Sequence, residues 1–289
     1  MAAAVASSST STSQQTDTLK AATFQRLHPR IYLERFLAES VRPDGRALEQ
    51  ARDITVNVGS ITTADGSSLV RLGDTTIVCG VKAEIAEPEL DSPNEGYIVP
   101  NLDLPAICSP RFKPGPPSEE AQVLSDRLNE AFLASKIIDL SSLCIHSGKA
   151  VWVLYVDATC INYDGNAFDA ALIALVAALR NTHLPKATYD EDTGLTVCSR
   201  RERIPLQINA SPLSMSFGIF ESTHLLADPT SFEEPLLDTT VTVVLTDKGE
   251  LVSATQVGLG GTGSQDVLMS CIGIAKRRLA EVRPQIYRS

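Results

Sequence analysis

Val151-Trp-Val-Leu-Tyr-Val156 leads through Asp157 to Tyr163-Asp164-Gly165-Asn166-Ala167-Phe168-Asp169, and then into Ala170-Ala-Leu-Ile-Ala-Leu-Val-Ala-Ala-Leu179. The first run is apolar without interruption, which suits a strand covered on both faces. Asp-Gly punctuates a turn. The run Phe168 to Leu179 is apolar almost all round a helix, so no face of it can be left in water. A buried strand, a turn and a buried helix in succession require layers on either side, and these must come from the rest of the chain.

Working outward, the flanking segments supply them. Ile54–Val58, Leu69–Leu72 and Thr75–Val81 read as strands, with a hairpin turn at Ala64-Asp65-Gly66-Ser67. Glu87 to Pro117 is rich in proline and reads as extended chain with little helix. Ser118, followed by Glu119 and Glu120, is a helix start, and that helix runs to about Ser135. Beyond Leu179 the grammar repeats: strands at Leu206–Asn209, Met215–Phe220 and Val241–Leu245, a tight turn at Lys248-Gly249-Glu250, and a closing helix from Ser264 to Val282. The expected class is α+β, one domain of two similar strand-then-helix halves. Pro29 to Ser40 reads as an amphipathic docking helix. Residues 1–28 begin with a Ser/Thr/Gln run that lacks the features of a secretory signal and are expected to form a disordered tail, leaving 29–289 as the domain.

The chain has 289 residues, 43% of them hydrophobic but only 5% aromatic, so its core must be built from aliphatic side chains. Its formal net charge of −10 disfavours an autonomous nucleic-acid binder. The six cysteines, at 79, 108, 144, 160, 198 and 271, show no paired spacing, and the four histidines do not cluster. Neither a metal site nor a cofactor is expected from them. No stretch has the length of apolar sequence that spans a bilayer, so no membrane partner is expected.

Gly258-Leu-Gly-Gly-Thr-Gly263 has the spacing of a dinucleotide-binding loop, but the chain ends one helix later with no following strand, and a tight strand-to-helix turn is the better reading. There is no phosphate-binding GxxxxGK[ST] and no nucleophile elbow. Two acid-rich places remain, Asp157/Asp164/Asp169 and Asp228/Glu233/Glu234/Asp238, together with the basic residues Arg111, Lys113 and Arg127. Acids of this kind are most often a solvated loop.

Several segments taken together resemble the RNase PH family: Arg42-Pro-Asp-Gly-Arg46, Gly59-Ser-Ile-Thr-Thr-Ala-Asp-Gly-Ser-Ser-Leu-Val70, the Asp157 to Gly165 passage before the buried helix, and the Gly258–Gly263 loop. Gly80-Val-Lys-Ala-Glu84, Tyr97-Ile-Val-Pro-Asn-Leu-Asp-Leu-Pro105 and Arg111-Phe-Lys-Pro-Gly-Pro-Pro117 narrow the likeness to the non-catalytic branch of RNA exosome ring subunits. The resemblance covers roughly Ser40 to Pro284. It implies an RNase PH-like domain, also described as ribosomal protein S5 domain 2-like. It also implies partners: other RNase PH-like ring subunits, S1/KH cap subunits, RNA in a shared channel, and a separate nuclease. The implied locations are nucleus, nucleolus and cytoplasm.

Active members of this family are phosphorolytic 3′-to-5′ exoribonucleases. The resemblance places their phosphate cradle at Asn166, Ala167, Phe168 and Asp169, where an arginine and hydroxyls are replaced by a phenyl ring and a carboxylate. A carboxylate near the helix start satisfies the helix dipole and repels phosphate. Positions that carry RNA-binding arginines in relatives hold Asp126 and Glu130. Arg127, one step round the helix, is expected to point elsewhere, which leaves Arg111 and Lys113 as candidate RNA contacts. Asp228 and Glu234 keep the spacing of the family's metal carboxylates and are expected to be relics. The expectation is therefore a pseudo-enzyme with no catalytic residues, no metal and no cofactor. The alternative is an active phosphate-dependent exoribonuclease whose site is shared across a subunit interface.

Overall fold

A computed structural model describes residues 19–258 and 265–287. Residues 19–27 form helix α1, and α2 follows at Pro29–Ala38. The tail expected over residues 1–28 therefore gives way to helix by residue 19. The helix is held to α2 by Phe24, whose ring lies 5.5 Å from that of His28 and carries the Arg35 guanidinium at 4.7 Å. In α2, Leu33 and Leu37 are fully buried against Phe220 and Leu226, so this helix docks as its pattern indicates.

The first sheet has the order β1 (Ile54–Val58), β2 (Gly66–Leu72), β3 (Thr75–Ala86), β6 (Ala150–Asn162), β4 (Tyr97–Asp103), with β5 (Cys144–His146) also against β6. All its pairs are antiparallel except β4 with β6. β4 lies inside the stretch read only as extended. It tolerates Pro100 because it is an edge strand. Helix α3 (Glu119–Ser135) starts where the sequence indicates, with the Ser118 hydroxyl accepting from the Ala121 amide.

Helix α4 (Ala167–Arg180) is buried at every position but the last, as its composition demands. It packs on β1, β2, β3 and β6 on one side and on β9 on the other. The second sheet, in the order β10 (His224–Ala227), β9 (Leu213–Phe220), β11 (Thr239–Leu245), β12 (Leu251–Gly258), is antiparallel throughout. Its other face, through Met215, Phe217, Ile219, Val241 and Val243, meets Cys271, Ile274 and Ala275 of α5 (Gln265–Tyr287). Every residue of β9 is buried because both faces of that strand are covered.

One expectation changes. Leu206–Asn209 is not a strand; it follows a separate hairpin of β7 (His183–Asp190) and β8 (Leu195–Pro205), which the sequence reading passed over. Of the glycine-rich loop, Leu259 to Gly263 lie outside the described residues. Among those described, no helix is long and apolar enough to cross a membrane.

Candidate functional site

The start of α4 lies between the two sheets, and the loop from β10 to β11 folds over it. Gly165 permits the approach. Its φ is +79°, and a Cβ there would come within 2.5 Å of the Ser231 amide nitrogen. Asn166 caps the helix from a left-handed conformation with φ of 53°. Its backbone amide donates to Glu234 Oε1 at 2.7 Å, and the Tyr163 hydroxyl donates to Glu234 Oε2 at 2.7 Å. Its Nδ2 donates to two carboxylates, Asp169 Oδ2 and Asp228 Oδ1, each at 2.7 Å. Asp169 in turn accepts from the Ser214 hydroxyl at 2.6 Å and the Ser216 amide at 2.7 Å, both on β9. The polar groups at this helix start thus tie α4 to the second sheet and to the covering loop.

Three arginines from the segment ahead of β1 complete the junction. Arg52 Nε and its backbone amide donate to Asp228 Oδ2 at 2.8 and 2.9 Å, and Nη2 donates to Oδ1 at 2.8 Å. Arg46 adds a longer contact to Asp228 Oδ2 at 3.3 Å. Arg42 is fully buried, forks onto both oxygens of Glu233, and donates to the Ala227 carbonyl. These buried charges are tolerated because each is paired and hydrogen-bonded. Burial pushes the Asp228 carboxyl up, but the Arg52 hydrogen bonds and charge outweigh it and hold the group below the usual range. For Asp169, burial wins over its serine and asparagine donors, and its carboxyl is raised. Glu234 is likewise raised by burial, against the Asn166 and Tyr163 donors.

Beside the helix start is a cavity of about 250 Å³, lined by Arg111, Arg127, Tyr163, Phe168 and Glu234 among others. The Arg127 guanidinium lies over the Phe168 ring at 4.6 Å. Arg111 is half-exposed and pairs with Glu120 at 2.8 Å and Glu234 at 3.7 Å. Lys113 is exposed on the preceding loop.

The 3′ exoribonuclease family model matches in two parts, domain 1 over residues 50–185 and domain 2 over residues 210–278. This chain belongs to the RNase PH family. Exosome complex component rrp43 of Schizosaccharomyces pombe is 45% identical over 256 residues, 88% of this chain and 94% of that one. Exosome complex component Rrp42 of Methanopyrus kandleri is 41% identical over 242 residues, 84% and 89% of the two chains. Among solved structures, a chain of the Archaeoglobus fulgidus exosome with RNA bound to the active site superposes with a TM-score of 0.79 at 32% identity, covering 89% of this chain and 96% of that one. A chain of an archaeal exosome core superposes at 0.74 and 28% identity, with the same coverage.

Against that RNase PH frame, the structure corrects three expectations. Asp169 does not face incoming phosphate: it is buried and turned onto β9, so Phe168, not a free carboxylate, forms this wall of the cavity. Arg127 does not point away; it lines the cavity and covers Phe168. Asp228 and Glu233 are not part of a solvated loop, since both are buried against arginines, Arg52 and Arg42, with which nothing in the sequence pairs them. The metal implied by the family spacing does not fit here. Both Asp228 oxygens are engaged by Arg52, and both Glu234 oxygens by Asn166 and Tyr163. Among the described residues, no three His, Cys, Asp or Glu side chains converge on a common point suited to a metal ion.

Proposed function

We propose that this chain is a catalytically silent RNase PH-like subunit of an RNA exosome ring. It supports 3′-to-5′ RNA processing and degradation by building the ring and its RNA channel. Similarity to exosome components over most of its length supports the assembly role. The observation that carries the silence is the filled helix start. Where a phosphorolytic site needs cationic and hydroxyl groups free to grip an anion, Phe168 presents a ring and Asp169 is consumed by Ser214 and Ser216. Arg111 is offset by Glu120 and Glu234, and Arg127 stands in the field of Asp169 and Glu130, so the site has little net positive charge to hold a dianion.

In this reading the partners are other RNase PH-like ring chains, S1/KH cap subunits and RNA threaded toward a separate nuclease, in nucleus, nucleolus and cytoplasm. Arg111 and Lys113 remain the candidates for RNA contact at the channel, with Arg111 partly neutralised by its acids. The test is the assembled ring, assayed for nucleoside diphosphate release from RNA with orthophosphate and Mg²⁺. No release dependent on this chain is expected. Release abolished by Asp228→Ala, in a ring that stays intact, establishes an active shared site instead.

A further inference from the structure

We propose that the cleft between α3 and the β11–β12 edge is a docking site for an extended, mostly uncharged segment of a partner protein that seats a single carboxylate on Arg127. Three cavities, of about 250, 490 and 220 Å³, meet at this residue. Together they make a trench running between the helix and the strand. Arg127 stands at its centre in a half-buried position. Among the described residues no carboxylate lies within ion-pair distance of it, and Phe168 covers one face of its guanidinium.

The other arginines of the junction contrast with this. Arg42 has Glu233, Arg46 has Asp44 and Asp228, Arg52 has Asp228, and Arg111 has Glu120. A guanidinium that has lost part of its water and feels Asp169 and Glu130 only through their field, with no carboxylate at ion-pair distance, keeps room for an anion. Burial also lowers the pKa of Arg127, in line with that lost hydration.

The trench wall favours an extended peptide. Among the described residues β12 is the edge of its sheet and pairs with β11 alone, which leaves its outer backbone groups available for an added strand. Ser253, Thr255 and Val257 alternate along it and line the cleft, with Val123 of α3 opposite. Val123 and Val257 are 50% and 59% exposed and offer apolar contact in the same stretch of the cleft, beside the cation. The rim excludes a nucleic-acid backbone: Glu119, Glu120 and Glu130 line the same trench. A phosphate at every residue of a strand meets those acids, whereas one carboxylate between apolar neighbours meets only Arg127.

The test uses the full chain and a fluorescein-labelled heptapeptide of alternating Val and Thr with a single central Glu, alongside the same peptide with Gln. The Glu peptide is expected to bind at least ~10-fold more tightly than the Gln peptide. Arg127→Gln should abolish that preference, and Arg127→Glu should transfer it to a peptide with central Lys. The charge swap separates recognition from loss of fold, because a misfolded variant gains no new specificity. Equal binding of the Glu and Gln peptides, or a preference that survives Arg127→Gln, overturns the proposal. So does displacement of the peptide by a twelve-nucleotide oligouridylate through Arg127, which assigns the cleft to RNA.

Discussion

Both oxygens of the Asp228 carboxylate are held by one guanidinium, that of Arg52, although the two residues are 176 positions apart. One comes from the segment ahead of the first sheet and the other from the loop leaving β10. Their pairing therefore fastens the two halves of the domain across the start of α4. The same carboxylate receives the Asn166 side chain, so a position with the family's metal spacing serves here as a structural staple.

Asp228→Asn should destabilise the chain by about 3–5 kcal/mol, because it leaves the buried Arg52 charge without its partner. Urea denaturation with linear extrapolation measures this. A metal-binding Asp228 predicts the reverse sign: removing one acid from a cluster that lacks its ion leaves stability unchanged or raises it.

The cost of that substitution should depend on pH. The Asp228 carboxyl is held below its unfolded value, so its contribution is fully present above the ordinary carboxylate range, near ~4, and is lost as pH falls through the folded pKa. Asp169 and Glu234 work in the opposite sense. Their raised carboxyls bind protons more readily when folded, so stability declines as pH rises through their folded values. Subtracting the denaturation curves of Asp228→Asn from those of the unaltered chain leaves the Asp228 part together with its repulsion of Asp169. The gap should close as pH falls below ~4. A gap that stays open down to pH about 1 contradicts the pairing.

Much of this arrangement was legible in the sequence, for identifiable reasons. A helix apolar on every side has few places to go, so the run Phe168 to Leu179 forced a layer on each flank, and Ser118 announced its helix by chemistry local to one turn. The hairpin β7–β8 was harder to see, because both strands are largely exposed and carry little apolar alternation. The Arg42–Glu233 and Arg52–Asp228 pairs left no local signal at all, since each joins residues more than a hundred positions apart. Asp169 shows why the site was read only in part. Its identity as the acid of the helix start was plain, but its direction depends on where β9 lies, and that is a tertiary fact.

Phe168 should prove structural. It is buried beneath the Arg127 guanidinium, and Phe168→Ala should cost about 3–5 kcal/mol through the cavity it leaves. Phe168→Arg restores the cation of the phosphorolytic relatives but sets it against Arg127. Nucleoside diphosphate release from RNA should still be absent in that variant, because Asp228 and Glu234 stay engaged. Recovery of phosphate-dependent release by this single change shows that the ring alone had silenced the site.

Gly165 offers the most local test of how tightly the covering loop closes on α4. Two glycines share nearly the same positive φ, +79° at Gly165 and +85° at Gly45, and for alanine a positive φ costs about 1 kcal/mol. Their surroundings differ. A Cβ at Gly45 meets nothing within 4 Å, whereas at Gly165 it lies 2.5 Å from the Ser231 amide nitrogen and 2.8 Å from the Pro229 carbonyl oxygen. Those atoms are backbone and cannot swing aside. Moving them draws on the Ser231 hydroxyl that donates to Asp164 at 2.7 Å and on Asp228 directly before Pro229. Overpacking of this kind adds about 1–3 kcal/mol, so Gly165→Ala should exceed Gly45→Ala by that amount in paired urea titrations. Equal losses at the two positions mean that the loop yields freely, and the staple between Arg52 and Asp228 is then too weak to define the junction.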